Sequence, residues 1–344
     1  MHIKELSLAL HKNNNNTLQT IMSADVLITG AAGFIGSNLA LHLVEKGLKV
    51  IGIDNLLHGR LENIGILKSN PLFSFYESDV SVAGALQDFT APVIIHLASQ
   101  KIPRYSNSLI TLEQNYSMIK NVLEKCRADK SKLIFASTSD VYGKNANVPY
   151  HEQSDFVLGH SEIKRWAYAV SKIYAEHLIL ANSAEYNFQY SIFRLFGCYG
   201  PNQNLSWWGG PQAEFISRAL KNEPMEIHGN GLQSRSFLYV DDAIVGIYKL
   251  MSDKNSVNQV LNLSSDERDE ISILDLAKKI WYMIRSDEPK IKFIPYSTFG
   301  SYEDVNRRTG NYSKAKQLIN FSPVTDLNKG LELTIDWQRK AMGL

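Results

Sequence analysis

Cysteine is scarce here: Cys126 and Cys198 are the only two among 344 residues. Two thiols cannot build the disulfide framework of a small secreted domain, and they fit a reducing compartment. No apolar run reaches the roughly eighteen residues that a membrane-spanning helix needs. Charge of one sign is lacking too, since 36 Lys and Arg stand against 35 Asp and Glu. That balance gives no reason to expect nucleic acid or an anionic membrane as partner. It says nothing against a small anionic ligand held by a few local arginines. Low complexity is confined to Asn13 to Asn16, and no internal repeat is visible. Residues 1–22 read as a flexible extension, with a short docking arm as the alternative. Their one apolar patch, Leu6 to Leu10, is too short for the core of a signal peptide. A cytoplasmic protein with no metal site is the expectation.

What is present is enough to bury a large core. Hydrophobic residues make up 44% of the chain, which suits one large domain or a large and a small one. The most informative stretch is Asp25-Val-Leu-Ile-Thr-Gly30-Ala-Ala-Gly33-Phe-Ile-Gly36. Val26 to Ile28 form a short apolar run of the kind a parallel strand covered on both faces requires. Gly30 permits a sharp turn, Gly33 lets backbone N–H groups approach a ligand, and Gly36 lets a helix pack close on the strand. A helix starting at Phe34 and Ile35 points its free N–H groups and positive dipole end at the loop, which suits a pyrophosphate. The next apolar run, Leu48 to Ile53, ends in Asp54, at the distance where a ribose 2′-hydroxyl would be held.

Further strands are expected at 72–76, 93–97, 133–136 and 190–195, with helices over about 81–89, 109–128 and 164–186. Such alternation argues for a doubly wound, Rossmann-type parallel sheet over 23–196. Past residue 196 the pattern loosens, and Gly, Pro and Trp cluster from Gly197 to Pro211. A smaller C-terminal α/β lobe over 197–344 is expected, with chain partly returning to the first domain.

Tyr168-Ala-Val-Ser-Lys172 lies in a helical stretch, so Tyr and Lys share one face. A phenol is a poor base at neutral pH unless its anion is favoured, as an ammonium one turn away would do. The pattern alone equally describes a helix-surface pair. The strand at 133–136 runs into Ser137-Thr138-Ser139-Asp140, placing hydroxyls at the edge where parallel sheets bind ligands; ordinary turn chemistry would use the same residues. His96, at a strand end, is expected to be buried and structural.

These motifs, together with Asp54-Asn55, Asp79-Val80, His96 to Ser99, Asn115, Tyr199-Gly200-Pro201 and Arg235 to Asp242, resemble the extended short-chain dehydrogenase/reductase superfamily. The likeness runs from about residue 24 onward, to its nucleotide-sugar epimerase, dehydratase and decarboxylase branch. The resemblance implies NAD as cofactor. Gly30, Gly33, Phe34, Ile35 and Gly36 would cradle it, with Asp54 and Asn55 at the ribose and Asp79 and Val80 at the adenine. Leu97, Ala98, Ser99 and Asn115 would lie along its other side. It further implies that Thr138 and Tyr168 contact the sugar's 4-hydroxyl and Lys172 the nicotinamide ribose. Arg235 and Arg308 would grip the substrate diphosphate, a surface role being the alternative for each. His228 stands where relatives put an aromatic ring against the base, and Ser206 to Gln212 would line the sugar pocket or pack the lobe. Gly197 stands where relatives commonly have Asn. Cys198 is expected to pack rather than react.

The branch shares oxidation at the sugar's C4, with Tyr168 taking the hydroxyl proton. The ketone is then reduced from its other face, loses water across C5 and C6, or loses carbon dioxide. Acids after the Thr separate these outcomes: Asp-Glu or Ser-Glu in dehydratases and decarboxylases, and none in many epimerases. This chain has Ser139-Asp140, with Asp140 as an auxiliary candidate. The first expectation is a 4-epimerase of UDP-hexoses. A 4,6-dehydratase or UDP-glucuronate decarboxylase is the alternative, and a non-catalytic NAD-binding sensor the alternative of another class. Apolar residues around the two long helices, among them Leu109, Ile110, Leu112, Ile173, Leu178 and Ile179, suggest a homodimer.

Overall fold

The computed structural model describes residues 21–101, 108–206, 209–300 and 303–344. Most of residues 1–22, and Trp207 and Trp208 of the Gly/Trp-rich stretch, lie outside this set. Seven strands form one parallel sheet: β1 (Val26–Thr29), β2 (Val50–Asp54), β3 (Phe73–Glu77), β4 (Val93–His96), β5 (Lys132–Thr138), β6 (Tyr190–Leu195) and β7 (Gln259–Leu263). Their order is β7-β6-β5-β4-β1-β2-β3. The chain therefore builds outward from β1 on one side, then crosses back to build outward on the other. Loops leaving β1 and β4 diverge at that reversal and open a crevice at the carboxyl ends of the strands.

Alternation within the strands explains the two covering layers. Val26 and Ile28 of β1, Ile95 of β4, Ile134 of β5 and Phe193 of β6 point to one face. There α1 (Phe34–Glu45) contributes Leu39, Ala40 and Leu43. Leu27, Ile94, Leu133, Phe135 and Ile192 point to the other face. They meet Ile119, Val122 and Leu123 of α2 (Ser108–Asp129) and Ala175 and Ile179 of α3 (Trp166–Tyr186). A period of two with both sets apolar is what a sheet buried on both faces demands.

Two sequence expectations need correction. No helix forms over 81–89: the segment turns at Gly84, whose φ is +79°, and ends in a two-residue strand, Phe89–Thr90. A stretch this short, interrupted by glycine, cannot offset the cost of helix nucleation. Phe89–Thr90 pairs with Met22–Ser23, so Met22, at the end of the presumed extension, is tied to the first domain. The seventh strand, β7, lies beyond the alternation the sequence displayed. It returns to pair with β6.

After β6 the chain adds α4 (Pro211–Leu220), α5 (Val240–Ser252), α6 (Ile273–Ile284), α7 (Ser313–Ile319) and α8 (Leu327–Ala341). Of these, α5 covers the first face of the large sheet with Ile244, Ile247 and Leu250. α4, α6 and α8 pack around Trp281, Phe215 and Leu331, all fully buried, whereas α7 packs on β7. A three-stranded ribbon sets Ser234–Arg235 between Ile271–Ser272 and Arg307–Arg308. In its parallel half Arg235 stands directly opposite Arg308. Among the described residues no helix is long and apolar enough to cross a membrane.

Candidate active site

A cavity of about 600 Å³ runs along the carboxyl ends of the strands and is lined by residues from Gly30 to Arg308. At its closed end Gly30 adopts φ +77°, and a Cβ there would stand 2.8 Å from the Ala98 nitrogen. Only glycine lets β1 turn that close to Leu97 and Ala98. A Cβ on Gly36 would overlap the Gly30 carbonyl oxygen, so α1 can seat itself on the turn only without one. The residue that starts α1, Gly33, offers no capping side chain. Gly33, Phe34, Ile35 and Gly36 all line the cavity, so the positive end of α1 faces it, a ready seat for phosphate oxygens.

Asp54 ends β2 with its carboxylate accepting the Ala32 and Leu56 N–H groups at 3.0 and 2.9 Å. Burial raises its pKa against the pull of these bonds. Asn55 donates to Asp79 at 3.2 Å, and Val80 closes the same wall. Leu97, Ala98 and Ser99 form the opposite wall. Asn115 does not line the cavity. Its amide donates to the Gln100 carbonyl and to Ser171 Oγ, both at 3.0 Å, and its oxygen accepts the Gln100 N–H at 2.7 Å. It clamps the loop behind the wall to α3.

At the centre Tyr168 lines the cavity beside Thr138 and Ser99. Burial, then the charge of Asp140, raises its pKa well above that of a free phenol, against the downward pull of those two hydroxyls. Lys172, one turn on, donates to the Ala136 carbonyl at 2.8 Å. Burial pushes it down to about 7 against the opposing pull of Glu176. His96 stays out of the chemistry. It is hydrogen-bonded to Thr29 Oγ1 at 2.7 Å, and burial, then Lys172, holds it neutral with a pKa of about 3.

Beyond Thr138 the cavity becomes strongly polar. Thr138 Oγ1 donates to Asp140 at 3.2 Å and accepts its N–H at 3.2 Å. Asp140 also pairs with Arg308, and with Arg165 at 3.5 Å. Burial works to raise its pKa, but Arg308, Arg165 and Lys101 outweigh that and hold it at about 2. Asp304 pairs with Arg165 at 3.1 Å and Arg235 at 3.0 Å. Three arginines and Lys101 thus face two aspartates at this end, a surplus of positive charge suited to an anion. Arg235 is pushed down to about 10 by burial and by the neighbouring Arg308, a mark of how closely like charges are packed.

Apart from Asn115, every residue assigned from the sequence to cofactor, substrate or catalysis lines this one cavity, including Gln212, His228, Arg235 and Arg308. Of the Ser206 to Gln212 run, Gly209 to Gln212 line it and Ser206 does not. The buried His228 ring meets Phe299 at 4.6 Å. A side chain at Gly197 would stand 2.8 Å from Phe237 and 2.9 Å from the Ser236 carbonyl, so glycine is the residue that fits here. Cys198 lines the wall with burial pushing its thiol pKa upward, consistent with packing. Sequence reasoning missed Arg165 and Asp304. Arg165 lies three residues before Tyr168, at the start of the same helix, and that spacing was the one available signal. Asp304 carried none.

The cradle fits a dinucleotide: a capless helix end for the pyrophosphate and a buried carboxylate for the adenosine ribose. Asp54 would repel the 2′-phosphate of NADP. NAD⁺ is expected to bind at least about tenfold more tightly than NADP⁺ in calorimetry, and equal affinities would refute the role of Asp54.

Comparison with known proteins agrees. The sequence model described as the NAD dependent epimerase/dehydratase family matches residues 26–264. The chain is 32% identical to UDP-N-acetyl-alpha-D-glucosaminuronate decarboxylase of Bacillus cytotoxicus over 324 residues, 93% of this chain and 99% of that protein. It is 32% identical to UDP-glucuronic acid decarboxylase 1 of Xenopus tropicalis, over 92% of this chain and 72% of that one. Among solved structures it resembles UDP-glucuronic acid 4-epimerase from Bacillus cereus in complex with UDP-glucuronic acid and NAD, at 28% identity and a TM-score of 0.81. UDP-glucose 4-epimerase from Thermotoga maritima with UDP-glucose gives the same two values. Both alignments cover 93% of this chain and all of the other. The cradle, the Tyr168/Lys172 pair and these likenesses agree: the chain belongs to the NAD-dependent epimerase/dehydratase family.

Proposed function

We propose that this enzyme oxidises C4 of a UDP-hexuronate and releases carbon dioxide from the resulting β-keto acid. The observation that carries the reading is the pair of further cations beside Thr138 and Asp140, Arg165 and Lys101, which are left to meet a carboxylate on the sugar when Arg235 and Arg308 hold the diphosphate. The decarboxylases at 32% identity support it. The substrate would be held by Arg235 and Arg308 at its diphosphate, with Gln212 and His228 on the second lobe contributing. Bound NAD⁺ supplies a hydride acceptor for C4. Tyr168 takes the 4-hydroxyl proton, Thr138 orients that oxygen, and the Lys172 ammonium stabilises the phenolate. With a ketone at C4, the C5–C6 bond breaks and its electrons pass into an enolate, so loss of carbon dioxide needs no base. The enolate would then take a proton at C5, and return of the hydride to C4 would leave the cofactor oxidised as before. A loss that needs no base suits Asp140, since a carboxylate held at about 2 is a weak proton acceptor. The same fact weighs against a 4,6-dehydratase, which needs a base at C5.

C4 epimerisation, the first expectation from sequence, stays as the second reading. The shorter acid at position 140 and the likeness to UDP-glucuronic acid 4-epimerase favour it. We also propose a homodimer through α2 and α3. Leu109, Ile110, Leu112, Val170 and Tyr174 are exposed on them, whereas Ile179 belongs to the core. Light scattering at micromolar concentration should give twice the chain mass.

Incubation with UDP-glucuronate, UDP-N-acetylglucosaminuronate and UDP-glucose, read by mass and NMR, tests the reaction. A uronate should lose carbon dioxide; an unchanged mass with inverted C4 would select the epimerase. Tyr168→Phe should cut turnover by roughly a hundredfold or more while NAD⁺ still binds. Asp140→Asn should lower the rate about tenfold or less without accumulating NADH. NADH build-up with no product would instead make Asp140 the group that moves the C5 proton.

A further inference from the structure

Glu176 follows Lys172 by one helical turn, as Lys172 follows Tyr168, so the three share one face of α3. It is buried and held by three bonds. Oε1 accepts from Ser137 Oγ at 2.5 Å and from Arg194 Nε at 3.0 Å, and Oε2 accepts from Arg194 Nη2 at 2.7 Å. Neutralising Arg194 would require only the last two. The third ties the carboxylate to Ser137, the residue before Thr138, on the strand that also receives the Lys172 ammonium. Arg194 is anchored in turn: its Nη1 donates to the Tyr142 hydroxyl and the Glu152 carbonyl, both at 2.9 Å. Tyr142 donates to Asn262 at 2.7 Å, and Asn262 donates to the Tyr150 and Asn311 carbonyls. The pair is therefore fixed in place, one helical turn from Lys172.

We propose that Glu176 is a positioning residue for the reaction, a fixed buried carboxylate that keeps Lys172 in its ammonium form. The inference rests on the reading of Tyr168 and Lys172 as the pair that oxidises C4. Around Lys172 stand Tyr168 and Glu176 from α3, the Phe135 ring and Ala136 carbonyl from β5, and His96 from β4. Arg194 of β6 is reached through Glu176. Tyr168 is a neutral phenol and His96 is held neutral, so Glu176 is the charge that acts on Lys172. Burial works against it and leaves the ammonium balanced near neutrality. Without the carboxylate, Lys172 would lose its proton at physiological pH and Tyr168 its electrostatic support. Activity that depends on the ammonium is present below the Lys172 pKa and lost as pH rises through it.

Titration of Lys172 by NMR in protein labelled with ¹³Cε-lysine, its signal assigned with Lys172→Met, reads this directly and without turnover. In Glu176→Gln the midpoint should fall by about one to two units, and the alkaline limb of the rate profile should move down with it. Because that change strands a buried guanidinium, the paired variant Glu176→Gln with Arg194→Met, which strands none, is measured alongside. It should show the same fall. A midpoint unchanged in whichever variant folds would overturn the proposal, even if the melting temperature drops. A wild-type protein that turns over no UDP-sugar would instead refute the C4-oxidation reading, leaving the titration to decide the charge of Lys172.

Discussion

The ion pair of Glu176 and Arg194 is the contact on which the arrangement of the site depends. Both side chains are only 5% exposed, and together they join α3 to β6 and β5. Buried charges this deep are tolerated only when paired and hydrogen-bonded, and breaking such a pair by removing one partner costs about 3–5 kcal/mol. The same network runs through Tyr142 and Asn262 to the segment that carries Arg308. Tyr150 reinforces it, its N–H donating to the Thr309 carbonyl at 2.8 Å and its own carbonyl accepting the Asn311 N–H at 2.9 Å. The strand of Thr138, the helix of Tyr168 and Lys172 and the ribbon of Arg235 and Arg308 are thereby held in one frame.

Charge is distributed along the cavity in a way that matches the chemistry. Near Asp54 a buried carboxylate meets the positive end of α1 from the far side of the turn. In the middle Tyr168 and His96 are neutral and Lys172, at about 7, stands between its two forms. At the far end the arginines crowd together because two of them are register partners in a parallel ribbon. Asp140 and Asp304 offset part of that repulsion. An incoming anion would complete the balance, so an anionic substrate is favoured by the field of the site as well as by its individual bonds.

How much of this was legible follows from the range of each interaction. The turn at Gly30, the helix end at Gly33 and the acid at Asp54 are set by local sequence, and they stand where the spacing placed them. The Tyr168/Lys172 face is equally local, because four residues are one helical turn. Arg235 and Arg308 are 73 positions apart, and nothing in their neighbourhoods requires them to meet; resemblance alone paired them. Asp304 was invisible for the same reason. Asn115 was misjudged in detail, since its motif position marks the right wall but not that it stands behind it.

The chain by itself determined the fold class, the glycine turn with its helix end and the shared face of Tyr168 and Lys172, because each is written in residues within a few turns of one another. Tertiary structure alone decided that Asp140 is an ionised partner of arginines rather than a free carboxylate. It also decided that Gly197 has no room for a side chain, and that β7 completes the sheet. Those outcomes depend on which distant segments are brought into contact, and contact is what sets the dielectric, the charge and the space around a side chain.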